Sequence, residues 1–194
     1  MSETRRILIA HRDEETRTVL EDSVRELGHK VVGVLESGKQ IIEECKNERP
    51  DIIITGVNMP DIDGIEALIE VAKEDPLPGI IVTPDADIDL VERAVEDHVM
   101  AYLVEPVTKE DLKPAIHLVV LRYEQFQRLQ EQVQDLTEAL DARKVIEKAK
   151  GILMKRADLD EEQAFLRLQK LASSERKKLV EVAEAILTSD KALD

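Results

Sequence analysis

The chain has no tryptophan, two tyrosines, two phenylalanines and one cysteine in 194 residues. Without large rings, the core has to be assembled from Ile, Leu, Val and Ala, which favours a helix-rich or α/β protein over a β-sandwich. Cys45 cannot form an internal disulfide on its own, and no Cys/His spacing suited to structural zinc occurs, so a reducing cytoplasm fits best. His11, His29, His98 and His117 are scattered, and neither a metal nor a cofactor is expected. No run approaches the ~20 apolar residues that cross a bilayer, and no secretory signal pattern opens the sequence, so no membrane contact is expected.

What the chain does have is charge. The net value of −15 speaks against nucleic acid, because phosphate repels an acidic surface. Its distribution reverses that reading. Residues 1–124 hold 28 Asp and Glu against 14 Lys and Arg, a net of −14, whereas residues 125–194 hold 14 against 13, a net of −1. Within the second part, Arg143, Lys144, Lys148, Lys150, Lys155 and Arg156 face a single acid, Glu147, giving +5 in fourteen residues. Such a cluster would concentrate a polyanion at one surface.

The length allows two small domains. Apolar runs at Arg6–Ala10, Val31–Leu35, Ile52–Thr55, Ile80–Thr83 and Ala101–Val104 alternate with helical patterns through Val19/Leu20/Val24/Leu27, Ile41/Ile42/Cys45, Ile65/Leu68/Ile69/Val71 and Leu90/Val91/Ala94/Val95. Continuously apolar strands alternating with amphipathic helices indicate a doubly wound α/β domain, with a five-stranded parallel sheet covered on both faces. Function in such sheets sits at the carboxyl ends of the strands, here His11-Arg12-Asp13, Thr55-Gly56, Thr83-Pro84 and Glu105-Pro106.

No Gly or Pro interrupts the stretch between Pro114 and Gly151, which predicts one long helix. Phe126, Leu129, Val133, Leu136 and Leu140 recur at spacings of three and four. That seam is read as a dimeric coiled coil, ahead of docking onto the chain's own C-terminal helices. Two further helices follow. The first is capped by Asp160 with Gln163 three residues on, and buries Ala164, Phe165, Leu168, Leu171 and Ala172. The second is capped by Ser173 or Ser174 and buries Leu179, Val182, Ala183, Ile186 and Leu187, with Arg176, Lys177 and Lys178 at its start extending the basic patch. Residues from roughly 140 onward should pack as a three-helix unit, and close helix packing is the role preferred for Gly151 over backbone approach to a nucleic acid.

The first part resembles the receiver domain of two-component response regulators, a CheY-like fold. PDIIITGVNMPDIDGIEAL at Pro50–Leu68 looks like that family's third strand and following loop, and AYLVEPVTKEDL at Ala101–Leu112 like its fifth strand and next turn. An active receiver needs an acidic pair for Mg²⁺, an acceptor Asp, a Thr or Ser and a Lys, because carboxylates carry the cation and the hydroxyl and ammonium neutralise the transferred group. In this sequence the acidic pair aligns with His11 and Arg12, the acceptor with Gly56 and the Lys with Glu105. Only Asp13 and Thr83 keep matching types. The resemblance therefore implies a degenerate pocket without aspartyl phosphorylation, spanning residues 1–122. Asp51, Asp61 and Asp63 are nearby but poorly sited as substitutes, and His11, Arg12 and Glu105 would form a charge cluster that locks the pocket. Tyr102 is assigned a packing role.

The second part resembles the ANTAR output domain, named for AmiR and NasR transcription antitermination regulators. ALDARKVIEKAKGILM at Ala139–Met154 carries the likeness, joined by EEQAFLRLQKLA and LVEVAEAIL downstream. It implies an RNA-binding domain over residues 139–190, behind a coiled-coil or helical linker at 123–138, that binds hairpins in nascent transcripts. Arg143, Lys144, Lys148, Lys150, Lys155, Arg156, Arg176 and Lys177 are the candidate RNA contacts. Recognition should lean on hairpin shape, phosphate and loop bases, since no free aromatic stands near the patch. The expectation is a non-enzymatic antitermination regulator, a homodimer through the long helix, with control from a protein partner, a small ligand or dimerisation. The competing readings are a protein-interaction adaptor without nucleic-acid binding and, ranked last, a duplex-DNA binder.

Overall fold

A computed structural model describes residues 3–74, 76–84 and 99–191. The chain divides into two compact units, Met1–Phe126 and Gln127–Asp194. The helix expected through Leu90, Val91, Ala94 and Val95, and His98, lie outside the described residues.

In the first unit β1 (Arg6–Ala10), β2 (Lys30–Leu35), β3 (Ile52–Gly56), β4 (Gly79–Thr83) and β5 (Val99–Val104) form one sheet in the order β2-β1-β3-β4-β5. Every pair is parallel. Alternation along each strand feeds two cores. Ile7, Ile9, Ile52, Ile54, Ile80 and Val82 face one side, against Leu20 and Val24 of α1 (Glu14–Glu26) and Leu112, Ile116 and Val119 of α4 (Lys109–Ala157). Leu8, Ala10, Ile53 and Ile81 face the other, against Ile41 of α2 (Gly38–Glu48) and Ile65 and Leu68 of α3 (Gly64–Glu74). Burial on both faces explains why the central strands lack the polar alternation of a one-sided sheet. Because β2 and β3 flank β1, the strand order reverses there, and a crevice opens at the carboxyl ends of β1 and β3.

Local chemistry sets the helix ends. Ser37 and Gln40 make a capping box at α2, and Gly28, at φ 87°, leads the chain out of α1. Val19, expected inward, is exposed, because Leu20 and Val24 already fill the α1 contact with the sheet. α4 is longer than the uninterrupted stretch implied: it starts at Lys109 and takes in both Pro114 and Gly151. Thr108 and Asp111 cap its start, each backbone N–H donating to the other's side chain. At Tyr123 the hydroxyl donates to the carbonyl of Pro76, and the ring stacks on Phe126 at a centroid distance of 6.4 Å. Phe126 is consequently half-buried and does not share the exposure of the other seam residues.

The second unit packs the end of α4 against α5 (Glu161–Glu175) and α6 (Leu179–Lys191) around Ala149, Leu168, Ala172, Val182 and Ala183. The Asp160 cap and its box with Gln163 form as expected. Ser173 and Ser174 do not cap α6: α5 continues through them to Glu175 and ends at Arg176 in the left-handed region, φ 54°. Arg176, Lys177 and Lys178 therefore occupy the turn ahead of α6, whose first turn is closed by the Lys178 N–H donating to Glu181. Phe165, assigned to the core, is 36% exposed. Among the described residues no helix is long and apolar enough to cross a membrane.

Candidate nucleic-acid interface

At the carboxyl ends of the strands of the first unit, His11, Arg12, Asp13, Val82 and Glu105 help line a cavity of about 290 Å³. His11 leaves β1 buried, and its Nε2 lies 3.0 Å from Glu105 Oε1. Its Nδ1 accepts the backbone N–H of Asp13 at 3.2 Å, which puts the ring proton on Nε2, donated to Glu105. Arg17 donates to the carbonyls of His11 and Arg12 and holds the β1–α1 turn in place. Gly56 ends β3 directly under the imidazole: a Cβ there would lie 2.5 Å from His11 Cδ2. Thr83 is buried at the end of β4, and its carbonyl accepts the Glu105 N–H.

The one acid left from the cation-binding set, Asp13, is already occupied. It caps α1 by accepting the Thr16 N–H at 2.8 Å and the Thr16 hydroxyl at 2.9 Å, and these bonds hold its carboxyl below the usual range. A hard divalent cation takes several oxygen ligands. His11, Arg12 and a single engaged carboxylate do not fit one. The other acids have local duties as well. Asp51 accepts the Arg6 N–H at 2.6 Å, Asp63 accepts the Glu66 N–H at 2.7 Å, and Asp61 sits at φ 72°.

The basic cluster of the second unit splits into two groups. Lys144, Lys148 and Lys155 are all exposed, and spacings of four and seven put them on one side of α4. Val145, Ile146, Ala149 and Leu153 pack on the other side. Along the axis the three lysines span roughly 16 Å, at about 1.5 Å per residue. Lys144 meets Asp141 at 2.8 Å in a solvated pair worth little. Arg143 is exposed too, while Arg156 reaches Asp190 at 2.6 Å and Lys177 reaches Glu175 at 2.7 Å. Arg176 is exposed in the turn between α5 and α6.

Lys150 has a different fate from the one its sequence context suggests. It is buried at 7% exposure, its Nζ lies 3.0 Å from both Glu147 oxygens and 2.8 Å from Glu161 Oε1, and it stands 5.9 Å from the centre of the Phe165 ring. Glu161 and Glu147 hold its ammonium above the usual lysine range, and Lys150 in turn holds Glu161 below the usual carboxylate range. This lysine ties α4 to the first turn of α5 and is not an open contact for a polyanion. Glu147 was legible as its partner from the i, i+3 spacing; Glu161 and Phe165 come from another helix, and nothing in the local sequence announces them.

The seam residues of this unit stay uncovered. Leu129, Val133, Leu136 and Leu140 are 54%, 63%, 66% and 58% exposed, so they do not dock onto α5 or α6.

A family model of the response regulator receiver domain matches residues 7–117, and one of the ANTAR domain matches residues 134–187. The transcriptional regulatory protein PdtaR of Mycobacterium tuberculosis is 38% identical over 183 residues, covering 94% of this chain and 89% of its own. The transcriptional regulatory protein AfsQ1 of Streptomyces coelicolor is 34% identical over 119 residues, 61% of this chain and 52% of its own. Among solved structures, the signal receiver domain of a modulated diguanylate cyclase from Desulfovibrio desulfuricans G20 matches with a TM-score of 0.59 at 24% identity, over 63% of this chain and 98% of that one, a likeness of fold. The chain belongs to the response regulators of two-component systems, as a receiver domain followed by an ANTAR domain.

Proposed function

We propose that this response regulator is a cytoplasmic, non-enzymatic antitermination factor that binds hairpins in nascent RNA and is controlled without aspartyl phosphorylation. The observation that carries the reading is the lysine row on α4: Lys144, Lys148 and Lys155 face solvent together, opposite the core of the three-helix unit. Phosphate contacts of this kind position a nucleic acid and make binding strongly salt-dependent. Arg143, Arg156, Arg176 and Lys177 supply further cations, Arg156 and Lys177 by exchanging a surface ion pair for phosphate. Lys150 acts from behind, holding α4 and α5 together.

Control without phosphorylation rests on Gly56, which offers no carboxylate, and on the His11–Glu105 pair in the pocket. Exposed Leu129, Val133, Leu136 and Leu140 provide a homodimer seam between a receiver domain at residues 1–122 and the RNA-binding domain at 139–190. Dimerisation or a regulatory protein partner then replaces the phosphoryl switch, since either one shifts the population of binding-competent chains only through different affinity for the two states.

The test is titration of the protein against a labelled hairpin pair, a scrambled single strand and a DNA duplex across a salt series. Hairpin-selective binding that weakens with salt and is lost on Lys144→Glu with Lys148→Glu is the expected result. Binding to none of the three would favour a protein-interaction adaptor. Incubation with acetyl phosphate and Mg²⁺ tests the second half: a mass gain abolished by replacing Asp13, Asp51, Asp61 or Asp63 would overturn it.

A further inference from the structure

Six of the seven glycines have a reason to be glycine inside this fold. Gly28 lies at φ +87°, and a Cβ at Gly33, Gly38, Gly56, Gly64 or Gly79 would come within 3 Å of another atom of the chain. Gly151 has none. It lies within the long helix α4 with no positive φ, and a Cβ built on it meets no atom within 4 Å beyond its chain neighbours and the backbone of its own helix. The close helix packing expected for it is therefore absent from the second unit. Glycine is among the least favourable residues in a helix interior, so neither the packing nor the backbone of this chain accounts for its presence there.

Its surroundings on α4 give the account. Lys148 lies three residues before it, Lys155 four after and Lys144 seven before, so all three exposed lysines share its side of the helix. Glu147, four residues before, is drawn to Lys150 at 3.0 Å, and Met154, three residues after, is partly exposed. The result is a short strip of partly exposed backbone at Gly151, with cationic side chains above and below it. A polymer lying on that strip comes closer to the helix axis than any side chain would allow, and is flanked by ammonium groups from both directions.

On the reading that this unit binds hairpin RNA, we infer that Gly151 is where the sugar-phosphate backbone of the hairpin lies nearest to α4, a positioning residue that brings phosphates within reach of Lys148 and Lys155 together. A second copy of the helix fits the strip less well, because two such rows would set lysine against lysine; the apolar seam stops at Leu140.

The experiment compares the full chain with Gly151→Ala and Gly151→Leu, using a labelled two-hairpin RNA selected for binding to the unaltered protein. Removing a helix-interior glycine should raise the thermal midpoint of Gly151→Ala. Affinity should move the other way, at least tenfold weaker for Ala and weaker again for Leu. Affinity within twofold of the unaltered chain in both variants overturns the inference while leaving hairpin binding intact. A loss of dimer mass in sedimentation, with unchanged RNA affinity per dimer, overturns it in favour of helix pairing. If selection returns no hairpin RNA for the unaltered chain, the functional reading fails and the inference falls with it.

Discussion

The imidazole of His11 occupies the space into which a side chain at position 56 would grow: a Cβ on Gly56 would sit 2.5 Å from His11 Cδ2 and 3.0 Å from Nε2. Glycine at position 56 and histidine at position 11 are thus one steric arrangement. Each explains why the other is tolerated.

Gly56→Ala should accordingly destabilise the receiver domain by about 1–3 kcal/mol, the usual range for overfilling a packed site. His11→Ala should recover part of that loss when the two are combined. Denaturant midpoints for the two single variants and the double variant measure the coupling. Strict additivity would mean that the ring does not control access to position 56.

A carboxylate placed at position 56 alone should not confer phosphoryl transfer. Gly56→Asp lacks the acidic pair and meets both His11 and Glu105, so acetyl phosphate with Mg²⁺ should give no mass increase. The variant carrying His11→Asp, Arg12→Asp, Gly56→Asp and Glu105→Lys is the one expected to gain phosphate, read by intact mass.

Lys150→Ala should lower the thermal midpoint of the second unit, because it leaves Glu147 and Glu161 unpaired and removes packing from Phe165. Lys150→Met keeps the stem and should lose less. Neither variant should change the salt slope of RNA affinity once folding is corrected for, whereas Lys148→Gln should lower that slope by about one phosphate contact. Filter binding at several ionic strengths separates the two cases.

His29 supplies a pH signature. Burial pushes its ring below the usual histidine value, with Arg5 adding to the effect, and its Nδ1 accepts the Arg5 N–H at 3.3 Å. The folded state thus favours neutral imidazole, so the unfolded chain takes up its proton first as pH falls below about 6.5. Stability should be fully present above that value and decline as pH drops through the lower folded value. In His29→Gln the thermal midpoint should vary less between pH 7 and pH 5.

Val133→Glu with Leu136→Glu should convert the chain to a monomer in sedimentation, without shifting the unfolding of the three-helix core, since neither residue belongs to it. An unchanged mass would mean that this seam does not hold two copies together.

Much of this was readable in advance. Isoleucine-rich strands and the order of motifs specify a two-sided parallel sheet, because only burial on both faces tolerates runs such as Ile52–Ile54. His11, Gly56 and Glu105, singled out from residue type, come together in space, His11 meeting Glu105 at 3.0 Å and lying against Gly56. Asp160 with Gln163 marks a helix start, since that signal lies within four residues of chain.

Other features depend on residues distant in sequence, where local patterns carry no information. Ser173 and Ser174 looked like caps, yet the helix runs through them because Ala172 behind them is buried against the third helix. Lys150 and Lys148 are two positions apart in one basic run. A rotation of about 200° around α4 sends the first into the Glu161–Phe165 contact and the second to solvent. Charge density was therefore determined by the sequence itself, while its division into an internal tie and an outer face was decided by the packing of three helices, since burial depends on which neighbours the fold brings to each side of a helix.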